Sequence, residues 1–222
     1  MPRTPRRVKL PLYAVFALVA ALLTASVIDL GRGEPDPDAP SGDPGAVPIV
    51  RDDTRILQAA RDRRVTLTIF LDFESGGSRA LVPLIEALRN RYADRVTFAV
   101  RYYPLSGNYN GQLAAQAAEA AATQDRFEAM YRLLFETQRR WGGVRTSRER
   151  TFLGFARRLG LDIDRFGADL NAPATVARVI EDREDGVALG VHAAPTLFLG
   201  DEQLELSTAE QLEADLDAAL AR

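Results

Sequence analysis

The chain has 222 residues, of which 46% are hydrophobic, 27% charged and 8% aromatic, a globular balance that excludes wholesale disorder, collagen and a multi-span membrane protein. Cysteine is absent and His192 is the single histidine, so a disulfide, a cysteine nucleophile, a thiolate metal site and a multi-histidine metal site are all excluded. Acids outnumber bases by 31 to 28, a formal net charge of −3, and every base except Lys9 is arginine, a bias that beside an acid excess gives no nucleic-acid signature.

Residues 1–9 form a basic cluster, with Arg3, Arg6, Arg7 and Lys9 and no acid. Leu10 to Ile28 is uncharged and apolar. As a helix this run would span about 28 Å, close to the ~30 Å hydrocarbon core of a bilayer. The remaining residues, 29–222, carry 24 bases against 31 acids, a formal −7. Positive charge before the run and acid after it predict a transmembrane anchor at 10–28, with a cytoplasmic N-terminus and an extracytoplasmic body at the cell membrane. The alternative is a signal peptide cut near residue 26, where Thr24 and Ser26 are small, giving a secreted protein. Signal-peptide apolar regions run about 7–15 residues, so the length favours the retained anchor. Residues 29–50 follow as a linker with five prolines and four glycines, too poor in apolar surface to fold and kept extended by proline.

The folded part is expected over 51–222. Thr54 to Arg64 suits a short helix. Val65 to Leu71 alternates and is rich in β-branched residues, a buried-strand pattern. Glu74 to Ser78 reads as a turn, and Arg79 to Tyr92 as a helix containing Pro83. Arg95 to Tyr103 is a second strand, with Val96, Phe98, Val100 and Tyr102 on one face. Strand, helix and strand make a β-α-β unit with parallel strands.

A helical insert over about 106–189 then interrupts the sheet. Gly111 to Thr123 is alanine-rich. Phe127, Met130, Tyr131, Leu134 and Phe135 follow helical spacing, as do Phe152, Phe155, Ala156 and Leu159. Each such stripe is the width one helix buries, so core packing is preferred to a ligand pocket. Trp141-Gly142-Gly143 reads as an inter-helix loop with an aromatic plug, and the arginines at 139–140 and 145–150 as solvated faces. Pro173 to Leu189 is a further helix, with proline in its first turn and Gly190 as a stop. Thr196 to Leu199 and Leu204 to Leu206 flank a Gly200-Asp201 turn as an antiparallel hairpin. Ser207 with Glu210 suits a capping box for a last helix whose Leu212, Leu216 and Leu220 face inward.

This order of elements resembles the thioredoxin fold, and more closely the DsbA-like family with its inserted helical domain, over about Val65 to Arg222. Phe73-Glu74-Ser75-Gly76-Gly77-Ser78 stands where that family carries Cys-x-x-Cys. Pro83 lies where its helix proline lies, Tyr103-Pro104-Leu105 resembles its second-strand exit, and Ala194-Pro195-Thr196 its cis-proline segment. The resemblance implies an α/β thioredoxin-like fold with a site formed by Ser75, Gly76, Gly77, Ser78, Ala194, Pro195 and Thr196.

Ser75 and Ser78 occupy both cysteine positions, which removes the family's chemistry. A thiol begins near pKa ~8.5 and a helix end shifts it enough to ionise. A hydroxyl begins near that of water, ~15.7, and a helix end contributes at most ~2 kcal/mol, about 1.5 units. The serines therefore stay neutral. As a base for a serine nucleophile, the sequence offers His192, which reads as an exposed loop histidine, and Glu74, which reads as solvated. The expected function is a redox-inactive module binding extended polypeptide or a membrane or envelope partner, without cofactor, metal or nucleic acid. Two alternatives remain. One is an enzyme resembling kappa-class glutathione transferases and related isomerases, in which Ser75 would donate to a thiolate. The other is a Cys→Ser variant of a thiol–disulfide oxidoreductase.

Overall fold

The computed structural model describes residues 47–62, 64–205 and 208–222. The basic cluster, the apolar run at 10–28 and most of the linker lie outside them. Among the described residues no helix is long and apolar enough to cross a membrane.

Five strands among the described residues form one sheet: β1 (Arg55–Gln58), β2 (Thr66–Leu71), β3 (Thr97–Tyr102), β4 (Thr196–Leu199) and β5 (Glu202–Leu204), in the order β1-β3-β2-β4-β5. β2 and β3 run parallel with Ile69 opposite Val100, as the β-α-β pattern predicts. β4 is antiparallel to both β2 and β5, and the hairpin turns through Gly200, whose φ of 59° lies in the left-handed region that glycine adopts freely. The second hairpin strand sits two residues earlier than its sequence pattern predicts, and Leu206 lies outside the described residues.

One expectation fails at the sheet edge. The short helix expected over 54–64 is absent, and residues 55–58 form β1 instead. β1 pairs antiparallel with β3, Arg55 opposite Val100, and so satisfies ladder groups that would otherwise face solvent on an open edge. Leu57 is buried, and Arg55 grips Glu119 with Nε donating to Oε1 at 2.8 Å.

Among the described residues the helices are α1 (Gly76–Arg91), α2 (Gly111–Ala122), α3 (Phe127–Trp141), α4 (Glu149–Arg158), α5 (Ile163–Leu170), α6 (Pro173–Ala188) and α7 (Ala209–Leu220). α2 to α6 lie between β3 and β4, which is the helical insertion. α5 is a helix the sequence pattern did not supply: Asp162 caps it by accepting from the Arg165 N–H at 3.0 Å, and Phe166 and Leu170 are buried. α7 is capped by the Thr208 hydroxyl, which accepts from the Gln211 N–H at 3.1 Å. This cap lies one residue after the expected Ser207, which is outside the described residues.

Both faces of the sheet are covered, which is why β2 and β3 read as nearly continuous apolar runs. On one face Leu67, Ile69, Leu71, Phe98 and Val100 pack with Leu81, Ile85 and Leu88 of α1 and Leu212 and Leu216 of α7. On the other, Phe70, Tyr103 and Phe198 pack with Val187 and Val191 at the end of α6. A Cβ on Gly186 would lie 2.7 Å from the Tyr103 ring and 3.2 Å from that of Phe70, so this contact requires glycine. Beneath the same face Arg101 is fully buried, paired with Asp182 and Asp185 of α6. It also donates to the Ile49 carbonyl at 3.0 Å, tying the segment before β1 to the core.

Candidate functional site

The chain leaves β2 at Asp72, whose Oδ1 accepts from the Glu74 N–H at 2.7 Å, an Asx turn. The Ser75 N–H donates back to the Asp72 carbonyl at 3.1 Å. Ser75 is then the N-cap of α1, its Oγ accepting from the Ser78 N–H at 3.3 Å. The turn expected over 74–78 is thus shorter, and α1 begins at Gly76, three residues before the expected start. A serine that caps position three lets the helix absorb both glycines in its first turn.

The same Ser75 hydroxyl donates to the Ala194 carbonyl at 2.7 Å. Ala194–Pro195 is a cis peptide bond, and the Thr196 hydroxyl donates to the Ala193 carbonyl at 2.8 Å. The structure therefore brings Ser75, Ser78 and the 194–196 segment together. Gly76 is exposed and Gly77 half-buried, while Ser75 and Ser78 are 6% and 3% exposed. The Ser78 hydroxyl accepts from the Asp72 N–H at 3.2 Å. Ser78 and Pro195 line a cavity of about 10 Å³, room for about one water and far below the ~300 Å³ of an ordinary small-molecule site. His192 is exposed, and among the described residues the hydrogen bonds of Ser75 do not include it.

Several residues that build this corner carry no functional signature in sequence. Gln138 of α3 donates from Nε2 to the Phe73 carbonyl at 2.7 Å and the Ser75 carbonyl at 2.8 Å. Glu74 corrects the expectation of a solvated carboxylate. It is buried, accepting from the Asn110 N–H at 2.6 Å and the Gly143 N–H at 2.7 Å. Those bonds fasten the 142–148 loop at the site, and Arg148 of that loop donates from its backbone to Asn110 at 2.9 Å and from Nε to the Trp141 carbonyl at 3.3 Å, so it is half-buried while Arg139, Arg140, Arg145 and Arg150 are exposed as expected. Asp72 also accepts from the Leu105 N–H at 2.9 Å and the Asn108 side chain at 2.5 Å. Burial pushes its carboxyl above the ordinary carboxylate range, and these three donors pull the other way. A Cβ on Gly111 would meet Asp72 Oδ1 at 2.7 Å, so α2 starts with the residue that permits this approach. Of these features, only the Asp72-to-Ser75 spacing, an Asx turn running into a serine cap, was legible locally.

The arrangement supplies two neutral, buried hydroxyls, an exposed glycine and a cis-proline loop. It offers no sulfur, and among the described residues no cluster of acids and histidine suits a metal ion.

A family model described as thioredoxin matches residues 52–218. A Na(+)/H(+) antiporter NhaA of Herminiimonas arsenicoxydans is 33% identical over 207 residues, 92% of this chain and 31% of that protein. A second, from Salinispora arenicola, is 30% identical over 167 residues, 74% of this chain and 24% of that one. The chain thus spans less than a third of the length of these curated relatives. Among solved structures, a thioredoxin-like oxidoreductase from Silicibacter pomeroyi has a TM-score of 0.65 at 23% identity, covering 78% of this chain and 96% of that one. BdbD from Bacillus subtilis has a TM-score of 0.67 at 19% identity, covering 83% and 100%. The thiol-disulfide exchange protein alpha-DsbA2 from Wolbachia pipientis has a TM-score of 0.58 at 19% identity, covering 92% and 96%.

Proposed function

The chain belongs to the thioredoxin family, and on its DsbA-like fold without cysteines we propose that it is a non-catalytic module that binds extended polypeptide beside the cis-proline loop. The observation that carries this reading is the Ser75–Ala194 hydrogen bond. A serine hydroxyl has one proton to donate, and here it holds the cis-proline segment against α1. A thiol-cofactor enzyme would need that proton for its ligand's thiolate, and the adjoining cavity holds about one water, which disfavours the alternative.

We also propose an extracytoplasmic, membrane-tethered location. The apolar run at 10–28 and the charge asymmetry support it, as does the presence of matching sequence in relatives named as antiporters. Transport itself is not carried over to this chain. The binding reading is tested by titrating a library of unfolded peptides and low-molecular-weight thiols against the full chain by calorimetry. Peptide binding without thiol binding is expected, and saturable thiol binding lost in Ser75→Ala would overturn it. A reporter that is active only outside the cytoplasm, fused to the C-terminus, tests the location; a silent fusion would overturn it.

A further inference from the structure

Ser75, Pro195 and one exposed aromatic ring stand at the same end of the sheet. β2 and β3 are parallel, so the turn to Ser75 and the loop after Tyr103 both leave from carboxyl ends. β4 runs antiparallel to β2 and begins at Thr196, which brings Pro195 to that end as well. Open α/β sheets take ligands outside the carboxyl ends of their parallel strands. In the order β3-β2-β4 the Ser75 turn is central, with Pro195 to one side and the 104–110 loop to the other.

Tyr109 lies in that loop and is 59% exposed, more than any other large apolar side chain among the described residues. Single exposed rings are ordinary on protein surfaces, but the backbone on either side of this one is fixed. Asn108 donates from its N–H to the Leu105 carbonyl at 2.9 Å and from its side chain to Asp72 at 2.5 Å. Asn110 donates from its N–H to Glu74 at 2.6 Å, and from its side chain to the Val144 and Thr146 carbonyls at 3.0 and 3.2 Å. Asn110 is fully buried while Tyr109 faces solvent, the reverse of the usual preference of the two residue types. Asp72 and Glu74, the acids that shape the approach to Ser75, thus also set the position of Tyr109.

Resting on the polypeptide-binding reading, we propose that Tyr109 sets the side-chain preference of that site, its ring packing on an apolar or aromatic side chain of the bound segment. Backbone pairing beside Pro195 supplies affinity in this mode of recognition, and side-chain contacts supply specificity. A tyrosine on a fixed backbone orders only two χ torsions when it docks, so the contact costs little entropy. Neighbouring strands lie ~4.8 Å apart, which separates β3 from β4 by about 10 Å, and an extended chain advances ~3.3 Å per residue. The residue read by Tyr109 therefore lies about three positions from the one beside Pro195.

The test uses the full chain and two fluorescein-labelled decapeptides of serine, threonine and glycine, one of which carries a single central phenylalanine. Fluorescence anisotropy should show the phenylalanine peptide bound about tenfold more tightly than its parent, the scale of one aromatic contact. Tyr109→Ala should abolish that preference and leave the parent peptide's affinity unchanged. Tyr109→Phe, which keeps the ring, should retain the preference. Ile180→Ser, which removes an exposed apolar side chain from α6, should also retain it. Because Tyr109 is exposed, its variants should keep the thermal midpoint of the parent protein. Equal affinity for the two peptides would overturn the inference and leave the polypeptide-binding reading standing. A preference that survives Tyr109→Ala would do the same, as would one lost equally in Tyr109→Phe or Ile180→Ser. Absence of binding to both peptides would overturn this inference and the polypeptide-binding reading together.

Discussion

Ser75 donates its hydroxyl proton to the carbonyl of Ala194 across 2.7 Å, joining the first turn of α1 to the cis-proline loop 119 residues away in sequence. The same oxygen caps α1 by accepting from the Ser78 N–H. A side chain at the first redox position of the family is here a structural clasp, and the first prediction follows from it.

Ser75→Ala removes an N-cap and a buried hydrogen bond at once. A lost cap costs about 0.5–2 kcal/mol and a carbonyl left without its donor about 1–3 kcal/mol. Urea denaturation should show a loss of about 2–3 kcal/mol. If peptide is held mainly by backbone contacts, the affinity of the surviving folded protein for peptide should change little.

The unmodified protein should show no disulfide reductase, oxidase or isomerase activity above background in an insulin-reduction or refolding assay. The two serines are close, with Ser75 Oγ 3.3 Å from the Ser78 N–H, and the cis-proline loop abuts them. Ser75→Cys combined with Ser78→Cys should therefore restore measurable thiol exchange. The restored Cys at the N-cap should titrate below the ordinary thiol value, since the helix end stabilises its thiolate. Activity in the unmodified chain would defeat the redox-inactive reading.

Glu74→Ala would leave the Asn110 and Gly143 N–H groups without their acceptor. The Asn110 N–H is fully buried and its loss of an acceptor costs about 1–3 kcal/mol, whereas Gly143 is exposed and its N–H turns to water, so a total loss of about 1–3 kcal/mol is expected in chemical denaturation. Hydrogen exchange at Gly143 and its neighbours should accelerate, because Glu74 fastens that loop. Unchanged exchange there would show that the loop is held by other contacts.

Tyr92 couples the C-terminal end of α1 to α7, its hydroxyl donating to Asp217 at 3.0 Å. Burial first, and then Asp217, push the phenol up to about 12. Because the folded value lies above the unfolded one of ~10, the folded state holds this proton more tightly. The stabilisation is complete below about pH 10 and is lost as pH rises through about 12. Tyr92→Phe should cost about 0.5–1.5 kcal/mol at neutral pH, with the gap to the parent closing as pH rises toward the folded value. Denaturation curves of both proteins from pH 7 upward check the sign; a gap that widens would contradict it.

Gly186→Ala would place a methyl 2.7 Å from the Tyr103 ring. Overpacking of this kind costs about 1–3 kcal/mol, and a lowered thermal midpoint is the readout. No change would mean that the α6 end can shift off the sheet freely.

By itself the sequence determined whatever depends on neighbours along the chain. Alternation at 65–71 and 95–103 marked the parallel strands, helical spacing marked α3, α4 and α7, and the absence of cysteine decided the redox chemistry without any coordinates. The helix at 163–170 escaped because its apolar signal is short, Phe166 and Leu170 being its buried pair. Tertiary structure decided what depends on distant partners. Residues 55–58 form a strand because the edge of β3 is there to pair with, and no local pattern contains that edge. Glu74 is buried because Asn110 and Gly143 arrive as donors from the helical insertion. The Ser75 hydroxyl serves Ala194 for the same reason: the outcome is set by which polar groups the fold delivers within about 3 Å, a range over which hydrogen bonds form or fail.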